Sequence, residues 1–577
     1  METVDLLIQG GQVFNVYLKR FTAADIVIDA GRIVFVGDAG PLGWEYRHTV
    51  AAAGKHIVPG LIDIHMHIES SMATPRAFAA AIVRNGVTTI VAEPHEMANV
   101  FGVAGVRAMI AAGAGSPVDI FYAVPSSVPS STPEFETTGG AIDLPELAEL
   151  LAEDRVICLG EVMNCYDIIQ GTDTRIQRLL RFFRRNYPGL PIEGHCAKIS
   201  GAGLAKVLAA GVSSDHTQQT AASLAEKIGA GMFIELQDKS LTPEVVSFVV
   251  ANQLYEHIAL VTDDVMADKL VGEGHLNRLL QKAVALGMPA EQAIYCATYT
   301  PARRMNRIDR GSIAPGKIAD LLILVDLDSF TIERVYKQGV TVYDANISVS
   351  PCTAPEPAAL FPEHFYHSIR RQPITASDLR IPAGQFQGAA QCRVIQVRDG
   401  TTFTDELAAE VAIRDGYLDW ENSPYCLIAV FERYGKNNNI GLGLVSGDTL
   451  QRGAVATSYA HDHHNILAVG KNAADMVRAV NAVIASQGGY YAVENGRVLA
   501  GIELPIGGIL SAKDMDTIGR ELAAVTAAMR QLGYRHVNPV MSLSTNSLPV
   551  SPLLKITDRG LIRLDQRKIV NIFREED

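Results

Sequence analysis

The pattern of apolar and polar positions over residues 59–305 predicts an alternation of short strands and amphipathic helices. Eight apolar runs have the length of strands: 61–64, 88–91, 119–123, 156–159, 191–193, 212–214, 232–235 and 258–261. Stretches with apolar residues at helical spacing separate several of them: 175–185, 203–210 and 276–285. Eight strands alternating with helices over this length are typical of a (β/α)8 barrel. We therefore predict an α/β fold with such a barrel over residues 59–310.

The two flanks of this barrel share a different pattern. In residues 4–58 apolar and polar residues alternate between turn residues, as in a small sheet, and the same pattern returns after residue 311. We predict one β-sandwich-like domain built from residues 1–58 and 311–345. Residues 346–379 are rich in proline and serine and indicate a connecting segment. Residues 380–577 predict a further α/β or α+β domain, with a strand at 391–397 and a helix at 473–486.

Polar residues with ligand chemistry follow five of the predicted barrel strands. These six residues are His65, His67, Glu161, His195, His216 and Asp263. Because barrels carry their chemistry at the C-terminal ends of the strands, we expect the six side chains to converge. His65 and His67 are two residues apart, so in a strand they face the same side. Each residue alone is more often an ordinary hydrogen-bonded loop residue, but six together indicate one site.

Four histidines and two carboxylates suit divalent zinc, iron, manganese or cobalt better than calcium or magnesium. Two ions bridged by a carboxylate would use this many ligands. A water bound there would become a hydroxide near neutral pH, and Asp263 can hold its proton and pass it to a leaving group. The implied chemistry is hydrolysis at an sp² carbon of an amide, a cyclic imide or an amidine-like C–NH2. The ligand set does not choose among these.

Nine stretches of the chain carry a resemblance to a known family: 59–72, 93–99, 160–164, 194–195, 215–216 and 262–264 in the barrel, and 432–436, 460–465 and 554–560 in the tail. Through them nearly the whole chain resembles the bacterial adenine deaminase family of the amidohydrolase superfamily. The tail stretches resemble a C-terminal domain that ordinary amidohydrolases lack. Two stretches, 196–198 and 235–240, depart from the family pattern at positions where a barrel contacts its substrate.

The resemblance implies two divalent metal ions (manganese, iron or zinc) and attack of metal-bound hydroxide on C6 of adenine, giving hypoxanthine and ammonia. It implies that His65, His67, Glu161, His195 and His216 are ligands and that Asp263 is ligand and proton shuttle. Glu161 would be the bridging carboxylate. The alternatives are a cyclic-amide or N-acyl hydrolase, a deaminase of another aminopurine or related heterocycle, and a non-catalytic barrel. The proton shuttle argues against the last of these.

Six further residues have a less defined role. His95 and Glu96 follow the strand 88–91 and are either an extra ligand or substrate contact, or a structural loop pair. Glu69 shares the face of His67 if that strand continues, and we expect it to support a ligand. The tail residues His461, His463 and His464 either form a polar loop or cover the barrel opening and supply a further ligand or substrate contact.

Composition indicates the partners and the compartment of the protein. The formal charge of −13 argues against nucleic-acid or membrane-surface partners, and no segment is long and apolar enough to predict a membrane span. Seven scattered cysteines without a C-x-x-C pair suit reduced thiols, so we predict a cytoplasmic protein. The expected partners are a purine-like small molecule and a second copy of the chain in a homodimer.

Overall fold

The computed structural model describes residues 3–347 and 360–574, and the chain opens with five strands of one sheet. These strands are β1 (Thr3–Asn15), β2 (Arg20–Asp29), β3 (Arg32–Gly37), β4 (Glu45–Ala51) and β5 (His56–Pro59). β1 is antiparallel to β2 and parallel to both β4 and β5, and β2 is antiparallel to β3. The pattern of β4 did not predict a strand because most of its seven residues are exposed.

The next eight strands are parallel and form the barrel. They are β6 (Leu61–Met66), β7 (Val87–Ala92), β8 (Asp119–Pro125), β9 (Val156–Val162), β10 (Ile192–Gly194), β11 (Ser214–Asp215), β12 (Phe233–Leu236) and β13 (Ile258–Leu260). β6 to β10 pair in order, and so do β11 to β13. The Ser213 N–H donates to Ile192 O (3.0 Å) between β10 and β11, and the Asp263 N–H donates to His65 O (3.1 Å) beside β13 and β6. These bonds join the two sets into a ring.

Helices alternate with these strands and cover the outside of the ring. They are α1 (Pro75–Ile82), α2 (His95–Phe101), α3 (Val103–Ala112), α4 (Leu144–Leu150), α5 (Cys165–Gln170), α6 (Arg175–Asn186), α7 (Gly201–Ala209), α8 (Ala221–Gly229), α9 (Pro243–Ala251), α10 (Ala267–Glu273), α11 (Leu276–Ala285), α12 (Ala290–Cys296) and α13 (Tyr299–Arg304). The α6 helix shows why the pattern works: Thr174 and Gln177 form a capping box, and Ile176, Leu179 and Phe183 bury one face.

After the barrel the chain returns to the first sheet. Strands β14 (Leu321–Leu324), β15 (Ile332–Lys337) and β16 (Val340–Asp344) follow. β14 pairs antiparallel with β5, with Leu321 opposite Pro59 and Ile323 opposite Ile57. The sheet therefore runs β16-β15-β14-β5-β1-β2-β3, with β4 also paired to β1, and contains strands from both flanks of the barrel. The sequence boundaries given above for the domains stay predictions.

A nine-stranded sheet and a three-stranded sheet form the C-terminal part. The strands are β17 (Ala389–Val397), β18 (Thr404–Arg414), β19 (Tyr417–Leu418), β20 (Cys426–Phe431), β21 (Ile440–Gly447), β22 (Ala454–Thr457), β23 (Ile466–Gly470), β24 (Gly489–Glu494), β25 (Arg497–Glu503), β26 (Leu554–Thr557), β27 (Gly560–Arg563) and β28 (Lys568–Val570). The helices are α14 (Ala473–Ala485), α15 (Met515–Gln531) and α16 (Pro539–Ser544). Apart from the parallel pair β17–β21 the pairings are antiparallel, so this part is α+β.

The predicted connecting segment, 346–379, is described only in part. Residues 348–359 lie outside the described residues, and two 3-10 turns, Glu363–His367 and Ala376–Leu379, lie in the rest. Six of the seven cysteines are described; all six are buried and free, and Cys352 lies outside the described residues. Across the described ranges, no helix combines the length and apolar character needed to cross a bilayer.

Candidate metal centre

The two histidines at the end of β6 face the same carboxylate. His65 is the fifth residue of β6, and His67, just beyond it, keeps an extended backbone, so both rings lie on one side. The Nε2 atoms of His65 and His67 lie 3.7 Å and 3.6 Å from Asp263 Oδ1. Asp263 reaches them from the loop after β13, held there by a bridge to Met66. The pairing across the closure of the barrel therefore places all three groups together.

Glu161 links the other two histidines to this group. Its Oε1 lies 3.8 Å from His67 Nε2, and its Oε2 lies 3.0 Å from both His195 Nδ1 and His216 Nε2. The pattern predicted a strand that ends at residue 159, with Glu161 beyond it. In the structure β9 extends to Val162, so Glu161 lies inside the strand. The His195 side chain is 38 % exposed, whereas the other three histidines and Glu161 are buried. The site therefore opens to solvent at His195.

The electrostatics of this group favour a bound cation. Burial disfavours the ionised form of Glu161, yet His216 and His195 hold the pKa of Glu161 well below its usual range. The pKa of Asp263 is also low despite burial, because of His65 and His216. Burial opposes protonation of His195, but the neighbouring Glu161 raises the pKa of His195 to about 9. The carboxylates are thus ionised in a buried place that stabilises positive charge.

The donor atoms also fit divalent metals. Two overlapping groups each have their donor atoms within 4.8 Å of one another: His65 with His216 and Asp263, and Glu161 with His195 and His216. The buried His65 Nε2 has no hydrogen-bond partner among the described residues, which is costly unless something else binds it. Mixed imidazole and carboxylate donors suit zinc, manganese or iron. The residues present therefore fit the metal ions that the sequence analysis expected.

Glu93 is a site residue that the sequence analysis did not single out. It directly follows β7, and its Oε1 accepts the backbone N–H of Glu161 (2.7 Å). Its Oε2 lies 3.1 Å from His95 Nδ1, and its carbonyl oxygen lies 3.0 Å from His67 Nδ1. Glu93 thus contacts the rings of His67 and His95 and the backbone of Glu161. Its position at a strand end was the signal that could have found it.

Glu69 and Glu96 lie side by side at the start of α2. The β6 strand ends at Met66, so Glu69 does not continue its face; it lies in a 3-10 turn, Ile68–Ser71. Its Oε1 accepts the Met97 N–H (3.4 Å). Burial, followed by the nearby Glu96, raises the pKa of Glu69 to about 7. Glu69 therefore supports α2 rather than facing the His65–His67 group directly.

The histidine-rich loop of the C-terminal part reaches the barrel at Glu96. The Nε2 atoms of His461 and His464 lie 3.1 Å and 3.7 Å from the two oxygens of Glu96. Asp462, between them, lies 3.9 Å from His95 Nε2. His463 has other contacts: its Nδ1 accepts the Asn465 N–H (3.0 Å) and its carbonyl accepts the Tyr434 hydroxyl (2.5 Å). The loop 460–465 thus packs on the barrel beside the candidate metal centre.

Comparison with known proteins agrees with this architecture. The Amidohydrolase family model matches residues 56–342, and the Adenine deaminase C-terminal domain model matches residues 401–568. "Adenine deaminase 2" of Shouchella clausii is 49 % identical over 574 residues, covering 99 % of each chain. An adenine deaminase of Clostridium perfringens is 48 % identical over 576 residues, covering 99 % of this chain and 100 % of its own. The chain belongs to the adenine deaminase family. It is a hydrolase of C–N bonds.

The stretches 196–198 and 235–240, which we predicted to depart from the family pattern, contact the loops that follow β10 and β11. The side chain of Gln237 donates to His216 O (2.8 Å), and the Cys196 N–H donates to Asp215 Oδ1 (2.8 Å). The Lys198 ammonium lies 4.3 Å from the centre of the Phe403 ring, which belongs to the C-terminal part. Gln237 and Cys196 therefore support the loops that carry His195 and His216.

Proposed function

We propose that the chain hydrolyses adenine to hypoxanthine and ammonia at a dinuclear metal site. The observation that carries the proposal is the convergence of four histidines and two carboxylates, Glu161 and Asp263, in a chain that resembles adenine deaminases over its whole length. In this proposal the ions would be held by six residues, with Glu161 as the carboxylate that they would share: His65, His67, Glu161, His195, His216 and Asp263.

The metal ions, when bound, lower the proton affinity of a water molecule and so supply the nucleophile. Overall, one water adds at C6 of adenine, the bond from C6 to the amino nitrogen breaks, and a C6 carbonyl and ammonia form. Asp263 takes the proton that the water loses and gives it to the departing nitrogen. The pKa of Asp263 is low because of the neighbouring His65 and His216, so the carboxylate is ionised, and carries no proton, before the reaction begins.

The other residues position these groups. Glu93 receives the Glu161 N–H and contacts His95, so it fixes the backbone of the central carboxylate. Glu96 and Glu69 are proposed as supporting residues, or as contacts to the substrate or to a further ion, with His95, His461 and His464. For His463 we propose a structural role in the loop, because its polar contacts are to the Asn465 N–H and the Tyr434 hydroxyl. The open side of His195 is the proposed entry for the purine.

We also propose a cytoplasmic enzyme of purine salvage that works as a homodimer. The buried, free state of the six described cysteines supports a reducing compartment. Light scattering of the purified chain tests the dimer, and a monomer at all concentrations used would contradict it.

The reaction is tested by measuring ammonia release from protein reconstituted with manganese, iron or zinc. The panel contains adenine, other aminopurines, pterins and hydantoin-like cyclic amides. We expect adenine to be the best substrate. Turnover of the cyclic amides with none on adenine would overturn the proposed function in favour of an amide-hydrolysing relative.

A further inference from the structure

Two buried thiols lie next to each other behind His195. Cys165 is the first residue of α5, Cys196 follows His195 directly, and their Sγ atoms are 3.7 Å apart. Cys165 is 4 % exposed and Cys196 is fully buried. The thiols of Cys296, Cys392 and Cys426 each donate to a backbone carbonyl oxygen, whereas the Cys165 thiol also has a second thiol within hydrogen-bond distance. Cys165 and Cys196 are therefore a dithiol pair inside the described part of the chain.

The pair is close enough to be bridged by a small movement. A disulfide has an S–S distance of about 2.05 Å, so the sulfurs would approach by about 1.6 Å. Cys196 is held in place, because its N–H donates to Asp215 Oδ1 (2.8 Å) and its carbonyl accepts the Lys227 ammonium (3.2 Å). Cys165 begins a short helix at the surface, where the next residue, Tyr166, is 56 % exposed. We expect α5 to supply most of the movement and to give small oxidants access.

The Cys165 thiol also contacts the backbone of His195. Cys165 Sγ lies 3.6 Å from the His195 carbonyl oxygen, and the His195 N–H donates to Val162 O (3.1 Å). Bridging the sulfurs removes the S–H donor from that carbonyl and pulls on the peptide between His195 and Cys196. Since His195 Nδ1 lies 3.0 Å from both Glu161 Oε2 and His216 Nε2, a shift of its backbone changes the geometry at the proposed metal ions.

We propose that Cys165 and Cys196 are an oxidation site at which a peroxide forms a reversible disulfide that inactivates the enzyme. Hydrogen peroxide oxidises one thiol to a sulfenic acid, with release of one water. The second thiol then attacks that sulfur, the S–S bond forms, and a second water leaves, so two thiols and one peroxide give one disulfide and two waters. The site itself depends only on the two sulfurs, whereas the loss of activity rests on the proposed function.

The test uses full-length, zinc-loaded protein, because zinc has no redox chemistry that could imitate the effect. Reduced protein is treated with hydrogen peroxide, and peptides are mapped by mass spectrometry without reduction. We expect a Cys165–Cys196 disulfide that dithiothreitol reverses. Adenine deamination should fall by roughly tenfold or more, as is usual when the support of a metal ligand is disturbed, and recover on reduction.

Two variants separate this site from other oxidation. Cys165→Ser keeps a hydrogen-bond donor for the His195 carbonyl, so it should keep basal activity and resist peroxide. Cys426 is a buried thiol in β20, and the variant Cys426→Ser should respond to peroxide as the unaltered protein does. Absence of the Cys165–Cys196 disulfide in the unaltered protein, or equal inactivation of Cys165→Ser, would overturn the proposal. The disulfide is read by mass, so its presence or absence is decided even in a protein that does not deaminate adenine.

Discussion

The Nε2 atom of His461 lies 3.1 Å from Oε1 of Glu96, and this contact joins the C-terminal part of the chain to the barrel. The two residues are buried, and Ser544 Oγ lies 2.7 Å from the other ring nitrogen of His461. The Tyr459 hydroxyl also donates to Glu96 Oε1 (3.3 Å). Burial opposes ionisation of Glu96, but His461 and His464 hold the pKa of Glu96 below its usual range. The C-terminal part thus stabilises a buried carboxylate of the barrel, in the residue that follows His95.

Removing either partner should leave the other buried with one polar partner fewer. We expect His461→Ala and Glu96→Gln each to lower the free energy of unfolding by about 1–3 kcal/mol, the usual cost of orphaning a buried polar group. The double variant should lose clearly less free energy of unfolding than the sum of the two single losses, because both single variants remove the same interaction. Thermal or denaturant unfolding of the four proteins measures this coupling. Strict additivity would show that the pair does not interact in solution.

The sequence pattern predicted the barrel and its central residues because both follow from simple periodicities. Strand ends are visible in the pattern, and parallel strands bring their C-terminal ends together, so His195, His216 and Asp263 could be expected in one place. The extent of β6 and β9 was less predictable, and His65 and Glu161 lie inside those strands. The contact between His95 and Asp462 joins residues far apart in sequence, and no local pattern encodes such a pairing.

Asp263→Asn tests the proton transfer assigned to this residue. The asparagine amide has the size of the carboxylate and keeps one oxygen that can bind a metal, but it cannot accept a proton at neutral pH. We expect kcat/KM for adenine to fall by about 10²–10⁴, with the metal content close to that of the unaltered protein. Ammonia release and elemental analysis on the same samples measure both. The exposed Glu410→Gln is the matched control and should leave both values unchanged; an unaltered rate in Asp263→Asn would refute the assignment.

Glu161→Gln tests the central carboxylate. Because Glu161 lies within 3.0–3.8 Å of three histidines, it is the group that both proposed ions would share. We expect this variant to lose metal as well as activity, in contrast to Asp263→Asn. Elemental analysis after dialysis measures the difference. Retention of two ions per chain by Glu161→Gln would contradict a bridging role.

Chelation should give an inactive protein that regains activity with metal. With two ions held by the proposed ligand set, activity should rise with added manganese or zinc up to two equivalents per chain and then level off. The titration is followed by ammonia release, with bound metal measured in parallel. Full activity at one equivalent would contradict the dinuclear proposal while leaving the deaminase assignment intact.

Lys555 is a buried lysine of the C-terminal part. It lies in β26, fully buried, and donates to Thr402 O (2.6 Å). Burial lowers the pKa of Lys555 to about 7, whereas an unfolded lysine has a pKa of about 10.4. Between these values the unfolded chain binds the extra proton, so this residue destabilises the fold at pH 7, and that cost disappears as the pH rises towards 10.

Lys555→Met should therefore raise the melting temperature at pH 7, because it removes the cost of neutralising or burying the charge while filling similar space. Thr402 O keeps a second donor in Ser551 Oγ (3.2 Å), so the variant leaves no orphaned carbonyl. The gain should shrink steadily between pH 7 and pH 10, by up to about 1.4 kcal/mol per pH unit. Melting temperatures at a fixed scan rate measure it, with the exposed Lys568→Met as the control that shows no such trend. A gain that is constant across this range would mean that Lys555 is charged in the folded protein.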